Sequence, residues 1–116
     1  MWLTGNLKIW LYSKNIDMRK SIDGLSVIVA DDLKQNPCGP EVFVFYNKKL
    51  DKLKILYWDK NGFCLWYKRL EKGKFMLPRM TENSYALTIE QLRWLLDGLV
   101  IEDLRGNPNL SFKEYF

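Results

Sequence analysis

Histidine is absent from this chain. That removes the side chain that most readily moves protons near neutral pH, and with it His-based general acid–base catalysis and most zinc sites. Cysteine is scarce. Cys38 and Cys64 stand far apart and form no Cys-x-x-Cys pair, so neither a thiol metal site nor a redox motif is encoded. Cys38 lies in a Pro/Gly stretch without a histidine partner and Cys64 in an apolar strand, which argues against a thiol nucleophile. No glycine-rich phosphate loop occurs. No apolar run reaches the roughly 20 residues of a membrane-crossing helix. The first residues, Met1-Trp2-Leu3-Thr4-Gly5-Asn6, show neither a basic head nor a long apolar stretch, so no signal peptide is expected. A reduced, cytoplasmic protein that meets no membrane is the expectation.

What is present fits one compact domain of 116 residues, 47% hydrophobic and 15% aromatic, with enough apolar surface to bury a core. The net charge is +4 and the pI about 9.1, a modest excess. Its distribution says more. Between Tyr46 and Arg79 stand ten Lys or Arg and three Asp or Glu, a net +7, so the remainder sums to −3. Positive charge is gathered on one stretch of the chain.

Leu7 to Tyr12 suits a first strand. Asp17 is placed to cap a helix, and Met18, Ile22, Leu25, Val29 and Leu33 mark one helical face from about Met18 to Lys34. Gly24 inside it costs about 1 kcal/mol relative to Ala, which suggests a close backbone approach. Asn36-Pro37-Cys38-Gly39-Pro40 ends the helix. Val42 to Tyr46, Lys54 to Trp58 and Phe63 to Leu70 read as strands, with turns at Asn47–Lys52 and Asp59–Gly62. A further short strand is expected from Phe75 to Leu77, after the Glu71–Lys74 turn. Together these make a meander. Thr88-Ile89-Glu90-Gln91 is a capping box. It opens a second helix with the stripe Ile89, Leu92, Leu95, Leu96, Leu99 and a stop at Gly98. The expected architecture is α+β: an antiparallel meander of four or five strands flanked by two helices, spanning residues 1–101. A loosely held tail, 102–116, follows.

The hairpin register has two solutions. A turn of Asn61-Gly62 alone sets Tyr57 opposite Trp66, and a turn one residue longer sets Trp58 opposite Cys64. Either way aromatics fall on both sheet faces. Helices can cover one; the other needs more chain, a second subunit or a partner. Tyr57, Trp58, Phe63, Trp66 and Tyr67 can be core packing, or rings on which bases stack. Lys48, Lys49, Lys52 and Lys54 can be a solvated edge that discourages aggregation, or phosphate contacts. Lys68, Arg69, Lys72 and Lys74 are the better anion-binding candidates because they cluster around one turn. Arg19 and Lys20, in the first turn of the expected helix, oppose its dipole. Structural pairing with an acid such as Asp23 or Asp59 accounts for them more simply than a phosphate does. Asp31 and Asp32, at the helix end, are expected to face solvent. No set of carboxylates stands out as a two-metal nuclease site, and no catalytic constellation is legible.

The run from Ile55 through Tyr57-Trp58-Asp59-Lys60-Asn61-Gly62 and Trp66-Tyr67-Lys68-Arg69 to Phe75 resembles the signature of the small accessory protein of insertion-sequence-66-type transposons, the TnpB-like product of their second open reading frame. Asp17-Met18-Arg19-Lys20-Ser21-Ile22-Asp23-Gly24-Leu25, Val42 to Lys49, and Leu87 to Leu99 resemble the family's first helix, Phe-Val-Phe strand and closing helix. The resemblance spans Ile9 to Leu99, with no family residues in the tail beyond. Family arginines in the turn are replaced by Lys48, Lys49 and Lys52, which keep charge but lose the planar two-pronged contact. The resemblance implies a bacterial transposable element and a role in transposition beside a separate, longer transposase. No catalytic residues and no cofactor carry over. The expected function is DNA binding through the basic, aromatic-rich hairpin, without catalysis. The alternative is an adaptor that docks on the transposase, or on another accessory protein of the element, through an exposed aromatic face. A cryptic nuclease is the third possibility. Oligomeric state is not legible.

Overall fold

The computed structural model describes residues 7–98. Five strands form one sheet in the order β4-β3-β2-β1-β5, where β1 is Ile9–Tyr12, β2 Val42–Tyr46, β3 Lys52–Asp59, β4 Gly62–Arg69 and β5 Ser84–Leu87. Helix α1 spans Ile22–Asp31 and α2 Ile89–Leu96. The α+β class, five strands and two helices agree with the sequence. The meander comprises β2, β3 and β4. β1 returns beside β2 in parallel (Ile9 opposite Val42), and β5 closes the other edge antiparallel to β1.

The central strand β2, Val-Phe-Val-Phe-Tyr, is buried throughout. Its alternation sends Val42, Val44 and Tyr46 to one face and Phe43 and Phe45 to the other. The first face joins Ile9, Leu11, Leu53, Ile55 and Leu87 under Leu92 and Leu95 of α2. The second joins Tyr12 and Leu56 under Leu25 and Val29 of α1. Each face therefore has its own helix, so a two-sided apolar sheet is satisfied within one chain.

Helix α1 is shorter than expected. Asp17 does not cap it. Its carboxylate accepts from the Arg19 amide at 2.9 Å and its carbonyl accepts from the Lys20 amide at 3.0 Å. That closes a separate turn, and the helix starts only after Ser21, whose backbone is extended. The helix ends before Lys34, which has a positive φ of 55°. Met18 and Leu33 still pack on the α1 core from outside the helix, because a turn continues the same apolar stripe. A Cβ on Gly24 would lie 3.3 Å from the Lys20 side-chain stem, so the close approach is to a side chain rather than to backbone.

The β3–β4 register is neither of the two expected. Trp58 faces Phe63, Tyr57 faces Cys64 and Leu56 faces Leu65. The turn consists of Lys60 and Asn61, with the positive φ of 52° on Lys60, while Gly62 begins β4. Shifting the turn by one residue places Leu56 and Leu65 together on the α1 core, and packing overrides the Asn-Gly preference. Phe75–Leu77 is not a strand. Phe75 is only 1% exposed and gives its amide to the Leu50 carbonyl at 2.7 Å, so one buried ring and one bond replace a ladder. The expected α2 is confirmed. The Thr88 hydroxyl accepts from the Gln91 amide at 3.0 Å, and the Gln91 side chain accepts from the Thr88 amide at 2.9 Å. Gly98 stops it with a φ of 82°. Leu99 and the expected tail, 102–116, lie outside the described residues.

Candidate nucleic-acid interface

Strand alternation divides the lysines. Lys68 and Arg69 are neighbours in sequence, so they project to opposite faces of β4. The Lys68 ammonium donates to the Leu96 carbonyl at 2.8 Å. It thus binds the C-terminal end of α2, where free carbonyls concentrate negative charge. Arg69 donates to Glu71 at 2.8 Å, and that carboxylate holds the guanidinium pKa above its ordinary value. Lys54 is more firmly held. Its ammonium donates to the Met18 carbonyl at 2.7 Å and to the Lys20 carbonyl at 2.8 Å, and lies 5.7 Å from the centre of the Tyr67 ring. Lys52 pairs with Asp51 at 3.5 Å. The Arg69–Glu71 pair is well exposed, so water and salt screen it.

The remaining four candidates differ. Lys48, Lys49, Lys72 and Lys74 are exposed and bond to no other described residue. They sit on two turns that the fold ties together. The Leu70 amide donates to the Asp51 carbonyl, and the Phe75 amide to the Leu50 carbonyl, each at 2.7 Å. Thus the β2–β3 turn and the segment after β4 share one end of the sheet with the Lys52–Arg69 cross-strand pair. Lys68, Lys72 and Lys74 also line an open groove of about 550 Å³ with Met76, Leu96 and Asp97.

Asn47 organises this end. Its side-chain oxygen accepts from the Asp51 and Lys52 amides at 3.1 and 2.9 Å, and its amide donates to the Asp51 carboxylate at 2.6 Å. That bond holds the Asp51 pKa below the usual carboxylate range. Leu50 takes a φ of 59° and packs on the core, which fixes the direction of the Lys48–Lys49 tip. Neither Asn47 nor Phe75 was singled out from the sequence as a site-positioning residue. An asparagine opening a basic turn was the available signal for the first. Phe75 carried only its hydrophobicity and its place at the end of the signature run.

The signature residues separate into two groups. Asp17, Arg19 and Lys20 lie beside Lys54, near the basic end. Arg19 pairs with Asp17 at 2.6 Å, not with Asp23 or Asp59, and the guanidinium lowers the Asp17 pKa to about 2. Arg19 and Lys20 precede α1 and so do not oppose its dipole from within it. Asp23 is exposed on α1. Tyr57, Trp58, Asp59 and Gly62 occupy the other end of the hairpin, roughly 20 Å away along the strands. There Trp58 and Phe63 meet edge to face, their centres 5.0 Å apart. Trp66 is half-buried against the α2 core, whereas Tyr67 is 49% exposed. Asp32, expected to face solvent, instead accepts from the Tyr12 hydroxyl and pairs with Lys14 at 3.6 Å. The Tyr12 bond lowers the Asp32 pKa, and burial followed by this bond pushes Tyr12 up to about 12.

Among the described residues, no group of three or more Cys, Asp or Glu converges to hold a metal, and no helix is long and apolar enough to cross a membrane. A signature-bearing hairpin between two helices accords with the family that the sequence resembles, IS66 Orf2 like protein, whose pattern matches residues 7–106. The chain belongs to the IS66 Orf2-like family. The match runs seven residues beyond Leu99, farther than the motifs indicated. Membership implies an accessory role in the transposition of an insertion sequence. Two curated relatives come from Sinorhizobium fredii (strain NBRC 101917 / NGR234). The uncharacterized protein y4hO is 34% identical over 94 residues, covering 81% of this chain and 82% of its own. The uncharacterized protein y4jC is 33% identical over 102 residues, covering 88% and 87%. No solved structure matches the chain.

Proposed function

We propose that this family member assists transposition by binding DNA, without catalysis, through the basic end of its sheet. Lys48 and Lys49 on one turn and Lys72 and Lys74 on the other supply the phosphate contacts. Lys52 and Arg69 add charge already shared with acids. Lys54 and Lys68 act chiefly by positioning, since each ammonium is committed to backbone carbonyls. The observation that carries the reading is the pair of backbone bonds joining the two lysine-bearing turns. They bring together charges more than twenty residues apart in sequence. An ammonium paired with no acid keeps more of its attraction for phosphate, and its contact with DNA releases a counterion.

The adaptor alternative called for an exposed aromatic face. Large apolar side chains exposed among the described residues are Val27, Tyr67 and Met76, on α1, on β4 and in the segment after it. That pattern favours the charge-based reading.

The test is a titration of the purified protein with labelled transposon-end duplex and an unrelated duplex at two salt concentrations. Binding should weaken steeply with salt. Four phosphate contacts give a slope of log K against log salt near −3.6, about −0.9 per contact. Replacing Lys48, Lys49, Lys72 and Lys74 by Gln should flatten it. A wild-type protein with no salt-dependent affinity ends the proposal. Retention on the transposase in nuclease-treated lysate would then support the adaptor.

A further inference from the structure

We infer that Tyr67 is a base-stacking platform and that unpaired DNA is therefore the preferred ligand of this surface; the inference rests on the DNA-binding function proposed above. Phe43 and Phe45 are buried, and Tyr57, Trp58, Phe63 and Trp66 are at least half-covered. Tyr67 alone among the strand aromatics leaves about half of itself, 49%, in water. It stands on β4, the outer strand of the sheet, so no neighbouring strand obstructs it.

The ring's nearest charged neighbour is a fixed cation. Lys54, its cross-strand partner, lies 5.7 Å from the ring centre, and two carbonyls hold its ammonium in place. The next cross-strand pair on the same face is Lys52–Arg69. Two residues of strand separate it from Tyr67, a rise of about 7 Å. With the Lys54 ammonium over one face of the ring, a base would stack on the other, and the Arg69 guanidinium, shared with Glu71, would be within reach of its phosphate. Duplex DNA keeps its base faces inside the stack, where an outward ring cannot meet them. Unpaired bases offer those faces, and stacking tolerates any base because each has a π-surface.

Fluorescence anisotropy tests this with one fluorescein-labelled mixed-sequence oligonucleotide, used single-stranded and annealed to its complement, at one salt concentration. The single strand should bind more tightly. Tyr67→Ala should weaken single-strand binding about five-fold or more and leave duplex binding nearly unchanged. Tyr67→Phe should retain single-strand binding, because the ring and not the hydroxyl is used. Thermal melts establish that both variants are folded. Equal affinity for the two forms, with Tyr67→Ala indistinguishable from wild type, overturns the platform while leaving DNA binding intact. Loss of affinity for both forms in the Lys48/Lys49/Lys72/Lys74→Gln variant reports on that underlying function separately. No binding of either form by wild type removes both.

Discussion

Replace Lys54 by Met, and the chain keeps nearly all of the side-chain volume while losing one ammonium. That ammonium donates to the Met18 and Lys20 carbonyls at 2.7 and 2.8 Å. Both acceptors belong to the turn that precedes α1, so the lysine fastens that turn to β3. A hydrogen bond to a charged group contributes about 1.5–3 kcal/mol, and carbonyls left unpaired add their own desolvation. Because the site is only partly buried, water can reach one carbonyl in the variant, which favours the lower end. The net loss is then about 2 kcal/mol. For a domain of this size each kcal/mol shifts the melting temperature by about 4–8 °C, so a drop of about 8–16 °C is expected. The control is Lys48→Gln, whose parent side chain bonds to no other described residue; it should change stability by no more than about 0.5 kcal/mol. Circular dichroism melts and urea midpoints of the two variants decide the matter. If Lys54→Met melts with wild type, the lysine is not fastened as described. Its assignment to positioning would then be wrong.

Phe75→Ala should cost about 3 kcal/mol, the low end for a buried phenylalanine, because the irregular segment around it can partly collapse into the gap. A urea midpoint that hardly moves would show that the ring does not anchor the segment. Lys60→Gly should stabilise by about 0.5–1 kcal/mol: relief of a left-handed backbone at 52° outweighs the extra freedom of glycine in the unfolded chain. A clear loss of stability by the same assay would contradict the turn assignment. Tyr12 and Tyr46 are pushed up from 10.0 to about 12, Tyr46 by burial and Tyr12 by burial followed by the Asp32 bond. The unfolded chain releases these protons near pH 10 while the folded one retains them. Stability should therefore hold below about pH 10 and fall progressively toward pH 12. Tyr46→Phe should flatten part of that fall, and an unchanged slope would mean the hydroxyl ionises freely in the folded protein.

Local chemistry that completes itself within a few residues was legible in the sequence. The Thr88–Gln91 box needs four residues and formed as expected, as did the stop at Gly98. β2 was legible because five apolar residues in a row have only one comfortable place, the middle of a sheet covered on both faces. The start of α1 was not. Asp17 has two ways to use its carboxylate, capping a helix or closing a turn with Arg19, and sequence does not rank them. The hairpin register failed for a related reason. Asn-Gly is a strong turn preference, but its worth is small beside the burial of Leu56 and Leu65 against α1. The parallel return of β1 beside β2 involves residues more than thirty positions apart, a distance no local pattern reports.

The candidate site shows the same division at the level of function. A linear count places Lys68 and Arg69 in one cluster, but a strand sends consecutive side chains to opposite faces, so adjacency in sequence becomes separation in space. Lys48 and Lys72 lie far apart in the chain, yet two backbone bonds between Asp51 and Leu70 and between Leu50 and Phe75 gather their turns at one end of the sheet. Charge content was therefore readable, whereas charge availability depended on which ammonium found a carbonyl. Lys54 and Lys68 found them because each sits beside the end of a helix or turn whose carbonyls lack partners. Lys72 and Lys74 extend from an irregular segment that offers no such acceptor among the described residues. It follows that neutralising Lys72 and Lys74 together should weaken DNA binding more than neutralising Lys54 and Lys68 together, even though the second pair should unfold the protein more readily. A reversed order in salt-matched titrations of folded variants would place the phosphate contacts on the sheet itself.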